Sequence, residues 1–322
     1  MIKRHLVALR TLAAGLVIVL VCALTAGCGT GGSSSGLVLE HDAHLADDPF
    51  DRPAPTSSLA PAFRLGGTAT SSDASVRLGS GGLSIAVRSH RLGIWRGFFV
   101  ATTATYPSDS VIHVRMWRPS PAVPLASQSG ISLLAVQTGA SNSLDYVLVA
   151  GSISRGHESW LVGYAHGNTA YAKTTILSDM PSTSTSEDVT VRTDGRSRLA
   201  VYFGDTLVYE SKALRLGVAP PFRVYLEVEE RGFPYHTRFQ NLWIAASTSV
   251  RVDNLHPGDR VTLTPAGGLP IRAVANGSGQ AQLQLPLSEA VGRGTFTIDG
   301  LHMRRQYAGV AFAGGDVYTM RT

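Results

Sequence analysis

The feature that most constrains the fold is a pattern of short apolar runs that hardly changes over residues 62–246. β-Branched and aromatic residues gather in these runs, and clusters of Gly, Ser, Asp and Pro separate them. Alternating strand and turn signals of this kind are typical of all-β proteins. No stretch has a sustained 3.6-residue period with capping residues, so we expect any helix to be a single turn. More than ten short strands predict a two-sheet sandwich or jelly roll. The candidate strands are 84–88, 97–104, 111–117, 131–137, 144–150, 159–166, 189–192, 199–203, 206–209, 222–229 and 238–244.

Two of these strands have one apolar face and one polar, aromatic face. In 222–229 the even positions are apolar, whereas the odd positions are Arg223, Tyr225, Glu227 and Glu229. Because side chains alternate across a strand, the two sets point to opposite sides of the sheet. A strand of this type belongs to an antiparallel sheet with one solvated side.

The strand 111–117 repeats the pattern, with Ile112 and Met116 on one side and polar or aromatic residues on the other. We therefore predict that both strands lie in one sheet and that their polar sides form a single ligand surface. Its members would be His113, Arg115, Trp117, Arg223, Tyr225 and Glu227, with Glu229 next to them. On 159–166, alternation places Trp160 and Tyr164 on one face, and we add both to the predicted ligand-binding set. The alternative for each aromatic residue is a place in the core.

Four segments resemble bacterial laminin-G-like or concanavalin A-like modules. They are 47–53 (DDPFDRP), 82–85 (GLSI), 197–209 (SRLAVYFGDTLVY) and 237–244 (TRFQNLWI). The resemblance covers about 45–246 and implies a jelly-roll sandwich in which one sheet often binds glycans. Residues 247–322 have strands of about five residues and a Pro257-Gly258 turn, and they resemble a small immunoglobulin-like accessory domain.

The N-terminal stretch predicts where the protein works. Lys3, Arg4 and Arg10 precede an apolar run that ends in small residues at 26–27, directly before Cys28. These are the parts of a secretory signal peptide, and the closing Leu24-Thr25-Ala26-Gly27-Cys28 resembles a bacterial lipobox. That resemblance implies cleavage after residue 27, a lipid on Cys28 and attachment to the extracytoplasmic face of the cell membrane. An uncleaved transmembrane anchor is the alternative. Residues 28–44, which begin with GTGGSSSG after the cysteine, would form a flexible tether.

Composition excludes several function classes. The leader holds three of the 28 basic residues and no acid, which leaves a net charge of about +2 for the rest of the chain. There is no run of five or more basic residues, so a nucleic-acid partner is not expected. Histidines and cysteines lack the spacing of a metal site, and no nucleotide-binding motif occurs. We therefore expect neither a metal nor another cofactor.

One pair of acids could carry chemistry. Glu227 and Glu229 share a strand face about 7 Å apart, and glycoside hydrolysis uses two carboxylates. The jelly-roll hydrolases that this fold resembles carry an E-x-D-x-E strand, with acids at three positions of one face. Here the third of these positions is Arg231. The alternative is an exposed strand whose acids pair with arginines such as Arg223. The sequence thus favours a non-catalytic lipoprotein that binds glycan or cell wall. A glycan hydrolase or lyase using Glu227 and Glu229 is the second hypothesis, and a structural spacer without a ligand is the third.

Overall fold

The computed structural model describes residues 36–42, 44–48, 50, 56, 59, 62–67, 69, 72–88, 95–106, 110–121, 129–138, 145–154, 156–168, 171–193, 198–211, 221–231, 234–245, 248–301 and 303–321. The predicted leader, Cys28 and the start of the predicted tether lie outside these residues. Ser35–Thr322 forms one compact unit. Within the described part of this unit the regular structure is strand, apart from a single 3₁₀ turn at Leu287–Glu289. None of the described residues forms a helix long and apolar enough to cross a membrane.

The strands up to residue 245 are, in chain order, β1 (Gly36–Asp42), β2 (His44–Asp48), β3 (Phe63–Gly67), β4 (Ala74–Gly79), β5 (Gly82–Val87), β6 (Trp95–Thr102), β7 (Val111–Trp117), β8 (Ser120–Pro121), β9 (Ser129–Thr138), β10 (Tyr146–Ser154), β11 (His157–Asn168), β12 (Tyr171–Pro181), β13 (Ser186–Thr193), β14 (Leu199–Phe203), β15 (Thr206–Glu210), β16 (Phe222–Arg231) and β17 (Tyr235–Ala245). The remaining strands are β18 (Ser249–Asp253), β19 (Arg260–Pro265), β20 (Ile271–Val274), β21 (Ala281–Gln284), β22 (Val291–Asp299), β23 (Arg304–Ala313) and β24 (Asp316–Arg321).

Two antiparallel sheets form the main body. A seven-stranded sheet has the order β12-β11-β10-β9-β16-β6-β3, and a nine-stranded sheet has the order β15-β14-β13-β7-β17-β5-β4, with β2 and β8 also paired to β17. The main hydrophobic core contains buried residues of both sheets, among them Leu134 and Leu226 from the first and Ile112 and Phe239 from the second. The protein is therefore all-β, and its main body is a two-sheet sandwich of jelly-roll type.

Local chemistry explains two of the turns. Gly204 has a φ of 56°, a backbone conformation that glycine adopts without steric penalty, and it turns the hairpin from β14 to β15 together with Asp205. Gly258 has a φ of 88°, and the Asp259 N–H donates to the His256 carbonyl at 3.0 Å. These features are those of the type II turn that Pro257-Gly258 predicts.

A smaller pair of sheets follows the sandwich in sequence. One has the order β1-β24-β18-β21 and the other β20-β19-β22-β23. Between them lies a second core that draws on residues 250–320, with Leu37 packed against it. We call these two sheets the C-terminal unit.

Several segments differ from the sequence-based expectation, and β1 and β12 are two of them. Residues 36–42, predicted as part of a flexible tether, form β1 and pair antiparallel with β24. The three consecutive apolar residues Leu37, Val38 and Leu39 are compatible with a strand, although glycines and serines directly precede them. The strand β12 was not predicted, although it contains the β-branched and apolar run 174–177. It is one of the two edge strands of the seven-stranded sheet, and β3 is the other.

Candidate functional site

The two strands that were predicted to share one ligand surface lie in different sheets. β16 belongs to the seven-stranded sheet and β7 to the nine-stranded sheet. The prediction of a single wall is therefore wrong, although the faces within each strand are as expected: Leu226 and Met116 are buried, and Glu227 and Trp117 are only partly buried. Alternation fixes which side chains share a face of one strand, but it carries no information about which strands are neighbours.

Trp160 is a second correction. Its side chain is 0% exposed and belongs to the main core, where its ring meets that of Phe203 edge-on at 5.6 Å between centroids. Tyr164, on the same side of β11, is half-buried and packs against this core. Trp160 thus cannot contact a ligand, because β11 turns this face toward the opposite sheet. The strand has small or apolar residues on both sides, so its pattern did not reveal which side is internal.

The outer side of the nine-stranded sheet carries His113, Arg115 and Trp117, together with two residues of β17. The guanidinium of Arg238 lies 3.8 Å from the centre of the Trp117 ring, and that of Arg115 lies 5.2 Å from it. The His113 ring stacks on Trp243 with centroids 5.0 Å apart. We call this group the Trp117 face. Its cations and rings are largely engaged with one another, and a role in ligand binding stays a prediction.

The outer side of the seven-stranded sheet carries Arg223, Tyr225, Glu227 and Glu229 of β16. We use the term Glu227 face for the group that surrounds the acids on this side, which consists of Arg64, Gly97, Phe99, Tyr146, Tyr225, Glu227 and Glu229. In the sheet register Glu227 lies between Phe99 of β6 and Leu133 of β9. The adjacent Glu230 belongs to the other side of the strand, where it is fully buried.

A glycine makes room for the two carboxylates. Gly97 of β6 is opposite Glu229, and a Cβ atom built on it would lie 2.3 Å from Glu227 Oε1 and 3.0 Å from Glu229 Cγ. Both side chains therefore occupy the space that a side chain at position 97 would fill. Within the described part of the chain neither carboxylate forms an ion pair with an arginine, which argues against a simple exposed acid–arginine ladder.

The surroundings of the pair favour the protonated form. Burial, reinforced by the negative charge of Glu229, raises the pKa of Glu227 well above its usual value. Burial likewise raises the pKa of Glu229. The pKa of Tyr146 is raised by burial and then by the charges of Glu229 and Glu227, so its hydroxyl lies within their field. The two acids and this tyrosine thus form one electrostatically linked group.

Aromatic and cationic groups border the acids on one side. The Phe99 and Tyr225 rings meet edge-on with centroids 5.1 Å apart. Arg64 Nη2 donates a 2.8 Å hydrogen bond to the Tyr225 hydroxyl, and its guanidinium carbon lies 5.9 Å from the centre of the ring. Tyr225 is therefore held in a fixed orientation, with Arg64 exposed beside it.

An apolar cluster borders the acids on the other side. Leu133, Ala135, Leu148 and Ala150 are buried on this outer side of the sheet, and Tyr146 and Tyr225 pack against them. These four aliphatic residues are too buried to contact a ligand, and the half-buried rings of Phe99, Tyr146 and Tyr225 supply the aromatic surface against which the C–H faces of sugar rings pack. The charged groups beside these rings can hydrogen-bond to sugar hydroxyls.

Sequence reasoning missed Arg64, Gly97, Phe99 and Tyr146 as members of this face. They come from β3, β6 and β10, and only the pairing of those strands with β16 and β9 brings them together. The sequence signal for these residues was weak. β6 was a predicted strand, but its two sides are both mainly apolar or small, so the pattern did not show which side faces outward. Among the residues that the structure describes, no group of three or more His, Cys, Asp or Glu side chains is placed to hold a metal ion.

No protein-family model matches the chain, and no curated protein sequence matches it significantly. Solved structures similar to this chain include LamAcat from Zobellia galactanivorans, with 11% identity and a TM-score of 0.45. The match covers 63% of this chain and 97% of LamAcat. A glycosyl hydrolase family protein from Mycobacterium fortuitum has 12% identity and a TM-score of 0.41, over 62% of this chain and 99% of that one. The Emp46p carbohydrate recognition domain has 10% identity and a TM-score of 0.39, over 57% and 88%. At these identities and TM-scores the similarity carries no information about the chemistry of the Glu227 face.

Proposed function

We propose that the protein is a lipoprotein tethered to the extracytoplasmic face of the cell membrane, and that it binds glycan or cell-wall polysaccharide through the Glu227 face. The observation that carries the binding proposal is the juxtaposition of Tyr225, Phe99 and Arg64 with the Glu227–Glu229 pair on the outer side of one sheet. Tyr225 offers a ring edge and face whose orientation is fixed by Arg64. The carboxylates and the guanidinium supply hydrogen-bond acceptors and donors for sugar hydroxyls.

The binding proposal is tested by screening the full-length chain on a glycan array and titrating the best ligand into Tyr225→Ala. Loss of an aromatic anchor should weaken binding by about 1–3 kcal/mol, with little change in the melting temperature because Tyr225 lies outside the main core. Trp117→Ala is the matched control, since it removes an accessible aromatic residue from the other sheet. Equal losses in the two variants, or no glycan bound by the wild-type chain, would contradict the proposal, and the latter would favour the structural spacer.

The second candidate function is glycoside hydrolysis by Glu227 and Glu229. The specific observation in its favour is that the two side chains lie together against Gly97 and that burial raises the pKa of both carboxyl groups, which suits an acid that donates a proton. Against it, Arg231 occupies the position of a third acid on this face. Incubating the wild-type chain with the array-positive polysaccharide and analysing the products decides between the two: cleavage that disappears in Glu227→Gln would establish the enzyme, and intact polysaccharide would leave binding alone.

The tethering proposal rests on Cys28 and the apolar run before it. Stable attachment of a bacterial lipoprotein requires more than one acyl chain, because a single chain holds a protein only marginally. Cys28→Ala should abolish both cleavage after residue 27 and lipid addition. Intact mass measurement of the membrane fraction tests this, and a wild-type species that keeps residues 1–27 without added lipid would point to a transmembrane anchor instead.

A further inference from the structure

The C-terminal unit has two opposite poles, and one of them rests on the sandwich. Arg192 of β13 donates hydrogen bonds to the carbonyls of Leu285 and Pro286, the first at 2.9 Å. Tyr202 of β14 donates to the Leu287 carbonyl and accepts the Ala290 N–H at 3.0 Å. The segment 285–290 lies where β18 and β24 begin, because Gln284 pairs with Ser249 and Gly315 N–H donates to the Ser249 carbonyl. We call this end of the C-terminal unit the inner pole.

The chain enters the C-terminal unit at the other end, which we call the distal pole. Gly36, the first residue of β1, pairs with Arg321 at the end of β24. Asn254 donates to the Met320 carbonyl, and the neighbouring sheet ends at the same pole with Arg260 paired to Val274 and Asp299. From Gly36 the strand β1 runs to Asp42 at the inner pole, and β2 then joins the sandwich. The polypeptide therefore traverses the length of the C-terminal unit, about 23 Å for seven strand residues, before it reaches the sandwich.

Apolar side chains project from the distal pole. Leu301, in the loop between β22 and β23, is 90% exposed, and Val274 at the end of β20 is 60% exposed. A cleft of 820 Å³ separates the Leu301 loop from the loop of residues 256–259. Isolated exposed leucines are common on protein surfaces, so Leu301 alone would indicate nothing. Its position matters because it lies at the pole where the chain arrives from the predicted anchor.

The charges at the distal pole are predominantly positive. Arg260, Arg304, Arg305 and Arg321 are all placed there by the strand register. Of the acids, Asp299 pairs with Arg304 at 3.2 Å, Asp253 at the end of β18 pairs with Arg251 at 2.9 Å, and Asp259 is buried and accepts the His256 N–H at 2.9 Å. An exposed leucine at a pole with more arginines than acids suits the interface of an anionic bilayer, where the apolar group enters the headgroup layer and the cations meet lipid phosphates.

We propose that the distal pole docks on the anionic lipid surface of the membrane to which the chain is tethered, with Leu301 in the headgroup layer. The proposal rests on the tethering proposed above. Seven residues separate Cys28 from Gly36, and even fully extended they and the flanking bonds reach about 28 Å. The lipid anchor thus lies within about this distance of the distal pole, and the inner pole carries the sandwich at the opposite end of the C-terminal unit.

The test uses the full-length lipidated protein reconstituted in phosphatidylcholine vesicles with or without phosphatidylglycerol. An environment-sensitive fluorophore is attached by maleimide chemistry to Leu301→Cys. Leu269→Cys is the matched control, because Leu269 is 80% exposed and lies in the turn between β19 and β20 at the inner pole. We expect the emission of the label at 301 to shift to the blue in phosphatidylglycerol vesicles and the label at 269 to keep its aqueous spectrum. Arg260→Glu in the Leu301→Cys background should reduce the shift.

Two results would overturn the docking proposal: an aqueous spectrum at position 301 in phosphatidylglycerol vesicles, or equal shifts at both positions. If the label at 301 is aqueous in these vesicles but shifts to the blue when the same protein is placed in native membranes, the distal pole binds a protein partner instead. Whether the chain is lipidated is measured separately from docking. The wild-type chain should take up no label, since Cys22 is removed and Cys28 is acylated, and the intact mass reports the lipid. A correctly lipidated protein with an aqueous label at 301 therefore refutes docking alone, whereas a chain that never attaches to vesicles refutes both proposals.

Discussion

Glu227 and Glu229 show how a single neighbouring residue can set the properties of a site. Because Gly97 has no side chain, both carboxylates lean into the same volume, where the apolar cluster around Leu133 limits hydration. Water would otherwise screen their repulsion. Burial therefore raises the pKa of both acids, and the charge of Glu229 adds to the rise at Glu227.

The pKa of Glu227 leads to a prediction about pH and stability. Since its folded-state pKa lies above the ordinary value of about 4.3, the folded protein binds more protons than the unfolded chain between those two values, and stability falls as pH rises through that interval. Glu227→Gln removes this loss. We expect it to melt at a higher temperature than the wild type at pH 7, with the difference vanishing below about pH 4. Scanning calorimetry over this range measures the effect.

A matched control separates burial from the loss of a charge. Glu210 lies at the exposed edge of the nine-stranded sheet and pairs with Arg198 at 3.1 Å. Glu210→Gln should give no gain at pH 7, because exposed ion pairs contribute at most about 1 kcal/mol and their removal is at best neutral. A wild-type protein as stable as Glu227→Gln at every pH would mean that Glu227 is well hydrated.

At the scale of the strand, β16 explains why alternation could predict faces. Its side chains are buried and half-buried in strict turn from Phe222 to Glu230. Leu226 is 1% exposed, so Leu226→Asp would place an unpaired charge between the sheets and cost several kcal/mol. Glu227→Ala changes the outer side and should cost no more than about half a kcal/mol. Urea denaturation of the two variants compares these losses, and similar values would show that the strand is reversed.

The same strand shows where sequence reasoning ends. The pattern of β16 and of β7 correctly assigns an inner and an outer side to each, because that is a local property of the chain. Their separation into two sheets depends on pairings between residues more than a hundred positions apart, such as Glu227 with Phe99. The prediction for Trp160 was wrong for a different reason. Gly163 and Ala165 on the outer side of β11 are as compatible with a core as Trp160 and Val162 on the inner side are. The fold class was thus predictable, and the composition of the site was not.

At the scale of the whole molecule, the contact between the sandwich and the C-terminal unit is small and specific. Tyr202 and Leu287 are buried together with Ala200 and Ala290 in a cluster of their own. Burial is the main cause that raises the pKa of Tyr202 to about 12, so its hydroxyl stays protonated and donates to the Leu287 carbonyl at any physiological pH. This hydroxyl also accepts the Ala290 N–H and therefore serves two backbone groups that have been taken out of water.

Tyr202→Phe should consequently loosen the attachment of the C-terminal unit more than it disturbs either core. It leaves the Leu287 carbonyl and the Ala290 N–H without that partner in a buried place, a loss of about 1–3 kcal/mol, while the ring keeps its packing. We expect the calorimetric unfolding transition to broaden or split as the unit with its own core melts first. Tyr209→Phe is the control, because Tyr209 on the adjacent β15 packs against the main core instead. If Tyr202→Phe lowers the melting temperature without changing the shape of the transition, the two cores unfold together and the contact is stronger than this cluster implies. In that case the C-terminal unit and the sandwich act as one rigid body, and any orientation that the membrane gives to the first is passed on to the second.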